Sequence, residues 1–313
     1  MRIAIVGAGA MGCWFGARLA AAGQAVVLVD RSAEEARHLS TEGVRVHRGD
    51  NLETVAVAAT SDPAAVEAAE LVLVCVKAHQ TREALTTVHA LRRPDGRVLT
   101  LQNGLGTGEV LAEVVPAERL LVGVTAQGAT QLGPGEVRHG GSGPTLFGPF
   151  APGPDADCGA DIALLFLEAG LPAESVADPH PLLWRKLAVN CGINALTALT
   201  GIRNGRIPQI TPAAELCRAA VAEAAAVSGA MGVDLGDPAA LAEAVLDVAR
   251  ATAANRSSMG QDVDARRPTE IDYINGAVAR HGEARGIPTP VNRTLCQLIQ
   301  TLEATFGGLP GSS

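Results

Sequence analysis

Residues 1–12 read MRIAIVGAGAMG and carry the strongest fold signal of the chain. A short apolar run is followed at once by glycines at positions 7, 9 and 12, and an alanine-rich segment continues to residue 22. The pattern is G-x-G-x-x-G between a strand and a helix, where each glycine has a mechanical role. Gly7 permits the tight turn, Gly9 lets the backbone approach a pyrophosphate, and Gly12 lets helix and strand pack closely. The stretch therefore predicts a dinucleotide-binding loop at a helix N-terminus.

The rest of the first half alternates apolar strands with helices. Strands are expected over residues 25–30, 71–76 and 97–101, and helices over 33–41 and 79–91. Continuous apolar strands separated by helices indicate a parallel sheet covered on both faces. Residues 120–129, 136–139 and 144–147 look like short strands with Gly- and Pro-containing turns, which predicts antiparallel strands at the sheet edge. We therefore predict an α/β class with a Rossmann-type doubly wound sheet over residues 1–175.

The second half carries helix signals only. Amphipathic or alanine-rich segments predict helices over residues 182–199, 212–231, 238–254, 269–284 and 291–305. These helices predict an all-helical C-terminal domain over residues 176–306, which we expect to bind substrate and carry the catalytic residues. Residues 307–313 are rich in Gly, Pro and Ser and are expected to form a flexible tail.

The composition limits the partners that this chain can have. The net charge of −8 argues against a nucleic-acid partner but allows a locally positive pocket for a small anion. No apolar window is long enough to predict a transmembrane helix. The six cysteines form no CxxC pair or metal-type cluster, so we expect no metal site and a reducing cytoplasm. Alanine-rich helical faces are compatible with a homodimer, but the sequence does not decide the oligomeric state.

Polar residues at predicted strand ends extend the cofactor prediction. Asp30 and Arg31 follow the second strand, 18 and 19 residues past Gly12. An acidic residue here binds the ribose hydroxyls of NAD, whereas an arginine pairs with the extra phosphate of NADP, so the two residues point to different cofactors. Lys77 and Asn103 follow two further strands, at the sheet edge where ligands bind in open α/β sheets. For Asn103, a plain Asn-Gly turn is an equally good interpretation.

A line of polar residues runs through an apolar helical segment. Lys186, Asn190 and Asn194 are spaced i, i+4, i+8 and so share one helix face, among neighbours that belong in a core. An unpaired buried amide costs ~1–3 kcal/mol, and a bound substrate can supply the missing partner. A lysine in such surroundings has a lowered pKa, which suits proton transfer. The alternative is that these groups cap loops or pair with one another.

Several blocks of the sequence resemble the ketopantoate reductase family. They are GAGAMG at residues 7–12, KAHQ at 77–80, QNG at 102–104, WRKLAVNC at 184–191 with Asn194, SSM and QD within 257–262, and TEIDYING at 269–276. The similarity runs in order from residue 1 to about residue 300. It implies reduction of ketopantoate (2-dehydropantoate), a small 2-oxo acid, to (R)-pantoate by NADPH, in pantothenate and coenzyme A biosynthesis.

The same resemblance implies the residue roles. Lys186 is the general acid that protonates the new alkoxide, and Glu270 orients Lys186 and touches the cofactor ribose or the substrate. The implied substrate contacts are Asn103, Asn190, Asn194, Asn204 and Ser258. The implied cofactor contacts are Gly7, Ala8, Gly9, Ala10, Met11, Gly12, Arg31, Lys77, Asn103, Ala129 and Glu270. Asp30 joins them on the local argument given above.

Two departures from the family pattern open alternatives. Asp30 stands where a small or neutral residue is common, so NAD is an open cofactor choice beside the implied NADP. Gly260 stands where a bulky apolar residue is common, which we expect to widen the pocket. One alternative is therefore an NAD(H)-dependent enzyme for another, bulkier 2-oxo or 2-hydroxy acid on the same fold. The other is a non-catalytic nucleotide-binding sensor, which would not need the aligned Lys186, Asn190 and Asn194.

Overall fold

The computed structural model describes residues 1–151 and 159–307, so the expected flexible tail lies outside the described residues except for Gly307. The chain divides into two compact units. The first contains Met1–Gln102 and Thr107–Pro179, and the second contains Asn103–Gly106 and the chain from His180 onward. As a division into functional domains, 1–175 and 176–306 stays a prediction.

The first unit holds the strands and five helices of the described chain. The strands are β1 (Arg2–Val6), β2 (Ala25–Val29), β3 (Val44–Arg48), β4 (Asn51–Val55), β5 (Ala58–Thr60), β6 (Ala69–Val74), β7 (Arg92–Thr100), β8 (Leu120–Thr125), β9 (Gly128–Gly133), β10 (Glu136–Gly141), β11 (Thr145–Pro149) and β12 (Ala173–Ser175). The helices are α1 (Ala10–Ala21), α2 (Ala33–Glu42), α3 (Thr81–Leu91), α4 (Thr107–Leu111) and α5 (Ala160–Glu168). Short 3-10 helices cover Pro63–Ala65, Ala78–Gln80 and Ala117–Arg119.

The main sheet has the strand order β12-β11-β8-β7-β6-β1-β2-β5. β1 pairs in parallel with β2 on one side and with β6 on the other, and Ile3 lies opposite Val26 and Leu71. β7 and β8 continue the parallel run, whereas β11 is antiparallel to β8 near the edge. The predicted α/β doubly wound sheet is thereby confirmed. Since chain order reverses direction at β1, the loop after β1 lies at the point where such sheets bind ligands.

A second sheet, with the order β4-β3-β10-β9, was not predicted from the sequence. The segment expected as one strand over 120–129 is divided between β8 in the main sheet and β9 in this one. Strands β3 and β4 escaped notice because their exposed faces are charged, and only Val44 and Val46 are buried. The small sheet packs on helix α1, where the rings of Trp14 and His139 stack with centroids 4.1 Å apart.

The second unit is helical in its described part, as predicted. It contains α6 (His180–Thr200), α7 (Thr211–Ala230), α8 (Pro238–Ala251), α9 (Ser258–Asp264), α10 (Asn275–Glu283) and α11 (Pro290–Ala304), with 3-10 helices at Asn204–Gln209 and Ile271–Tyr273. Its core consists mainly of small aliphatic side chains from α6, α7 and α8, such as Ala188, Ala195 and Val221. Because few aromatic side chains are available to fill this core, the alanine-rich helices pack closely against one another.

One predicted helix is interrupted. The segment 269–284 forms the 3-10 turn Ile271–Tyr273 and then α10, and Ile274 between them leaves the helical region with φ −105° and ψ −97°. The cause is tertiary, because the carbonyl of Tyr273 accepts a hydrogen bond from the N–H of Leu105 at 2.9 Å. The sequence signal of this segment is helical, but its backbone is shaped by the Asn103–Gly106 segment.

Candidate active site

The glycine loop after β1 has the form expected for a pyrophosphate-binding loop. Gly7 has φ +99°, and a Cβ there would lie 2.8 Å from Val76. A Cβ on Gly12 would lie 1.9 Å from the carbonyl oxygen of Gly7, so only glycine lets α1 approach β1 this closely. At Gly9 a Cβ would meet no atom within 4 Å, which leaves the backbone open to a ligand. Because Gly9 caps α1 without a side-chain hydrogen bond, the positive end of the helix faces this open space.

Asp30 is held against the glycine loop by two backbone groups. Its Oδ2 accepts a hydrogen bond from the N–H of Ala8 at 3.2 Å, and its Oδ1 accepts one from the N–H of Ser32 at 2.9 Å. Arg31 is exposed beside it. The structure therefore brings a fixed carboxylate to the carboxyl end of β2, next to the loop that would hold the pyrophosphate.

The remaining predicted cofactor residues of the first unit lie in several elements. Ala10 and Met11 are partly exposed in the first turn of α1, and Lys77 is partly exposed at the start of the 3-10 turn after β6. Ala129 is partly exposed on β9, which belongs to the four-stranded sheet. Their contacts with a cofactor stay predictions.

In the second unit, helix α6 carries the predicted polar line. Lys186 and Asn190 are partly exposed, whereas Asn194 is 6% exposed. The side-chain nitrogen of Asn190 is buried and finds no hydrogen-bond partner within the described chain. A buried amide donor without a partner carries a free-energy cost that a ligand oxygen would remove.

Lys186 has an altered acidity. Burial lowers the pKa of its ammonium group to about 8, while the negative charge of Glu270 acts in the opposite direction. The largest cause is desolvation, since an ammonium group loses hydration in apolar surroundings. A lysine with a pKa near the physiological range can donate and recover a proton readily, which an ordinary surface lysine cannot.

Glu270 is almost fully buried, at 6% exposure, and is bonded to Asn103. The amide of Asn103 donates to Oε2 of Glu270 at 3.2 Å. The next residue, Gly104, has φ +87°, and a Cβ there would lie 2.2 Å from the carbonyl oxygen of Tyr273. The Asn103–Gly106 segment thus belongs to the helical unit and lies against the turn that carries Glu270. The amide of Asn103 is thus bonded to Glu270, and its contact with a cofactor or substrate stays a prediction.

Asn204 and Ser258 have different surroundings. Asn204 is buried, and its amide donates to Oγ1 of Thr252 at 3.0 Å, but its Oδ1 finds no partner in the described chain. Ser258 is exposed at the start of α9. Its neighbour Ser257 is the structural residue of the pair, since its Oγ caps α9 by accepting from the N–H of Gly260 at 3.0 Å. Nδ2 of Asn190 and Oδ1 of Asn204 are thus two buried polar atoms without a hydrogen-bond partner in the described chain, and their contacts with substrate stay predictions.

The expectation that Gly260 widens the pocket is wrong for this structure. A Cβ on Gly260 would lie 2.6 Å from Cζ of Arg256, so the guanidinium group fills the space. Arg256 binds Asp264 through two hydrogen bonds of 2.8 Å and donates to the carbonyl of Thr197 at the end of α6. Sequence inspection missed Arg256, and the glycine four residues later was the only local signal.

The metal-ligating side chains, thiols and helix lengths of the described chain bear on other kinds of site. Within residues 1–151 and 159–307, no three His, Cys, Asp or Glu side chains group as metal ligands. Five cysteines of the described chain are free thiols: Cys13, Cys75, Cys191, Cys217 and Cys296. In the same residues, no helix is both long enough and apolar enough to span a membrane.

Comparison with known proteins relates this chain to a known family. The family profiles described as "Ketopantoate reductase PanE/ApbA" and "Ketopantoate reductase PanE/ApbA C terminal" match residues 3–152 and 180–303. A 2-dehydropantoate 2-reductase of Halobacterium salinarum is 38% identical over 302 residues, which are 96% of this chain and 98% of the relative.

Two solved structures share the whole architecture. The ternary structure of D-mandelate dehydrogenase with NADH and anilino(oxo)acetate superposes with a TM-score of 0.92 at 28% identity, covering 98% of this chain and 99% of the other. A PanE/ApbA family ketopantoate reductase from Ralstonia eutropha gives a TM-score of 0.88 at 35% identity, covering 98% and 100%. With both halves matched and near-complete coverage of its relatives, this chain belongs to the ketopantoate reductase family.

Proposed function

We propose that this chain reduces the ketone of 2-dehydropantoate to the alcohol of (R)-pantoate, a step of pantothenate and coenzyme A biosynthesis. The observation that carries the proposal is Lys186, an ammonium group with a pKa of about 8, aligned on α6 with Asn190 and Asn194 and influenced by Glu270. Family membership and the names of the relatives support this substrate.

Lys186 acts as the general acid. When bound, a reduced nicotinamide would supply the hydride that the carbonyl carbon takes up. As negative charge grows on the carbonyl oxygen, the ammonium group of Lys186 stabilises it and donates its proton, then recovers a proton from water. Below pH 8 the group is mostly protonated, so it is ready for reduction. A preplaced donor of this kind contributes ~3–4 kcal/mol to the rate.

The asparagines recognise the substrate's polar groups. The side-chain nitrogen of Asn190 donates to a carboxylate or carbonyl oxygen, and the unpartnered Oδ1 of Asn204 accepts from a hydroxyl. Asn194 and exposed Ser258 add hydrogen bonds to the same small anion. A 2-oxo acid with a further hydroxyl group supplies each partner that these residues lack.

The glycine loop, Lys77 and Ala129 would hold the nicotinamide dinucleotide. The open space at Gly9 and the free positive end of α1 fit its pyrophosphate. The resemblance to the family implies NADPH, for which exposed Arg31 is the available cation. The fixed carboxylate of Asp30 favours NADH instead, since it accepts from a ribose hydroxyl and repels a phosphate. We give NADH the preference, and NADPH is the other outcome of the cofactor assay.

The test is a panel of initial rates. Purified enzyme is assayed with 2-dehydropantoate and other 2-oxo acids, each with NADH and NADPH. We expect the highest kcat/KM for 2-dehydropantoate. Lys186→Ala should abolish turnover and leave cofactor affinity within about twofold, because the glycine loop is untouched. Near-normal kcat in Lys186→Ala would refute the acid role.

A second candidate is the NADH-dependent reduction of another, bulkier 2-oxo acid. Asp30 and the likeness to D-mandelate dehydrogenase crystallised with NADH favour it. A higher kcat/KM for an aryl 2-oxo acid than for 2-dehydropantoate would establish this alternative. Cofactor binding without oxidation by any oxo acid would instead support a nucleotide sensor.

A cytoplasmic location and a homodimer stay predictions.

A further inference from the structure

A second carboxylate lies beside Asp30, on helix α2. Glu35 is partly exposed in the first turn of α2, and its Oε1 accepts a hydrogen bond from Nε2 of Gln131 at 3.2 Å. Gln131 is on β9, two residues from Ala129 and therefore on the same face of that strand. The carboxylate of Glu35 is thus directed toward the four-stranded sheet and held there.

The two carboxylates are fixed by one short turn. Ser32 donates its N–H to Oδ1 of Asp30 at 2.9 Å, and its Oγ accepts the N–H of Glu35 at 3.2 Å. Their charges act on each other and on the first turn of helix α1. Burial and then the charge of Asp30 raise the pKa of Glu35. Burial, then Glu35, then Asp30 raise the pKa of Cys13, one residue past Gly12, to about 12.

A ribose phosphate at this place would meet both charges. The 2′-hydroxyl of NADH can donate a hydrogen bond to a carboxylate, whereas the 2′-phosphate of NADPH only accepts and is repelled. We infer that Glu35, held by Gln131, is a second determinant of cofactor choice beside Asp30, and that this chain binds NADH in preference to NADPH. The inference rests on the proposed function only in that a nicotinamide dinucleotide binds at the glycine loop.

Neither nearby cation forms an ion pair with Asp30 or Glu35 in the described part of the chain. Arg31 makes no hydrogen bond or ion pair to any residue in the described part of the chain. His38 lies close enough to Glu35 to oppose its pKa shift, but its Nε2 bonds to the carbonyl of Pro134 at 3.1 Å. Once both carboxylates are neutral, the attraction of Arg31 for the phosphate is no longer opposed by two negative charges. Removal of Asp30 alone leaves one negative charge at the ribose.

The experiment measures the dissociation constants of NADH and NADPH by calorimetry, with no oxo acid present. Glu35→Gln keeps the shape of the side chain and the backbone hydrogen bond to Ser32. We expect it to tighten NADPH about tenfold, equivalent to about 1.4 kcal/mol, and to leave NADH within about twofold. Asp30→Ala should also favour NADPH, and the double variant should favour it more than either single change.

Glu34→Gln is the matched control, because Glu34 is exposed in the same helical turn. A Glu35→Gln protein whose NADPH-to-NADH ratio moves no more than that of Glu34→Gln would overturn the inference. Wild-type preference for NADPH would do the same. Because no oxo acid is present, the result is independent of whether 2-dehydropantoate is the substrate. A wild type that binds neither nucleotide would overturn both the inference and the proposed reductase.

Discussion

The substitution Glu270→Gln tests how the acidity of Lys186 is set. Burial lowers the pKa of Lys186 to about 8, and the carboxylate of Glu270 prevents it from falling further. The amide is isosteric with the carboxylate and removes only the charge. The pKa of Lys186 should therefore fall below 8, by about one to two units for the loss of a close opposite charge.

The consequence for the rate follows from the protonated fraction of Lys186. Reduction requires the ammonium form, so the wild-type rate should fall as pH rises through about 8. With the pKa lowered by one to two units, the protonated fraction at pH 7 drops from about nine-tenths to between about one-half and one-tenth. The loss of activity should nearly vanish at about pH 5, where at least about nine-tenths of the variant's Lys186 is protonated. Oxidation of the hydroxy acid requires the neutral amine of Lys186. The pH at which the oxidation rate rises should therefore also be lower in the variant.

The assay is kcat/KM for reduction between pH 5 and 10, since this quantity reports ionisations of the free enzyme. The control is Asp272→Asn, an exposed carboxylate two residues away whose Oδ1 accepts from Gln300 at 2.6 Å. In the control, kcat/KM should fall at the same alkaline pH as in the wild type. Glu270 does not set the acidity of Lys186 if Glu270→Gln lowers kcat/KM equally at every pH. The same conclusion follows if the variant's kcat/KM falls at a higher pH than that of the wild type.

Two further predictions concern packing at glycines. Gly12→Ala places a Cβ 1.9 Å from the oxygen of Gly7, so it should weaken NADH binding at least about tenfold, as measured by calorimetry, and unchanged affinity would contradict the pyrophosphate role. Gly260→Leu collides with Arg256, so it should raise the KM for the oxo acid and lower the melting temperature. Arg256→Ala added to Gly260→Leu makes room for the leucine and should recover part of the melting temperature; no recovery would refute the packing argument.

The fold was predictable where its signals are local. The glycine loop and the alternation of apolar strands with helices depend on residues close in sequence, and they indicate the doubly wound sheet. The four-stranded sheet was not predictable in this way. Strands β3 and β4 place few side chains in a core, and the division of residues 120–133 between two sheets depends on pairing with segments far away in the chain.

The candidate site likewise combines features that local sequence predicts with features that depend on distant segments. The alignment of Lys186, Asn190 and Asn194 follows from helix geometry alone, so their spacing was sufficient to predict a shared face. The charge of Glu270 on Lys186 and the guanidinium of Arg256 at Gly260 depend on segments that meet only after folding. Glu35 was missed for that reason too, since its partner Gln131 is 96 residues away.

At Ile274 the local preference for a continuous helix is overridden by a tertiary hydrogen bond. Residues 269–284 have the composition of one continuous helix, in which the carbonyl of Tyr273 would accept from the N–H of residue 277. Here that carbonyl accepts from Leu105, and Ala277 bonds back to Ile274 instead. The same contact holds Asn103 within reach of Glu270. A continuous helix would satisfy the backbone but would give up the bond from Leu105, so the break at Ile274 is linked to the amide that positions the carboxylate acting on Lys186.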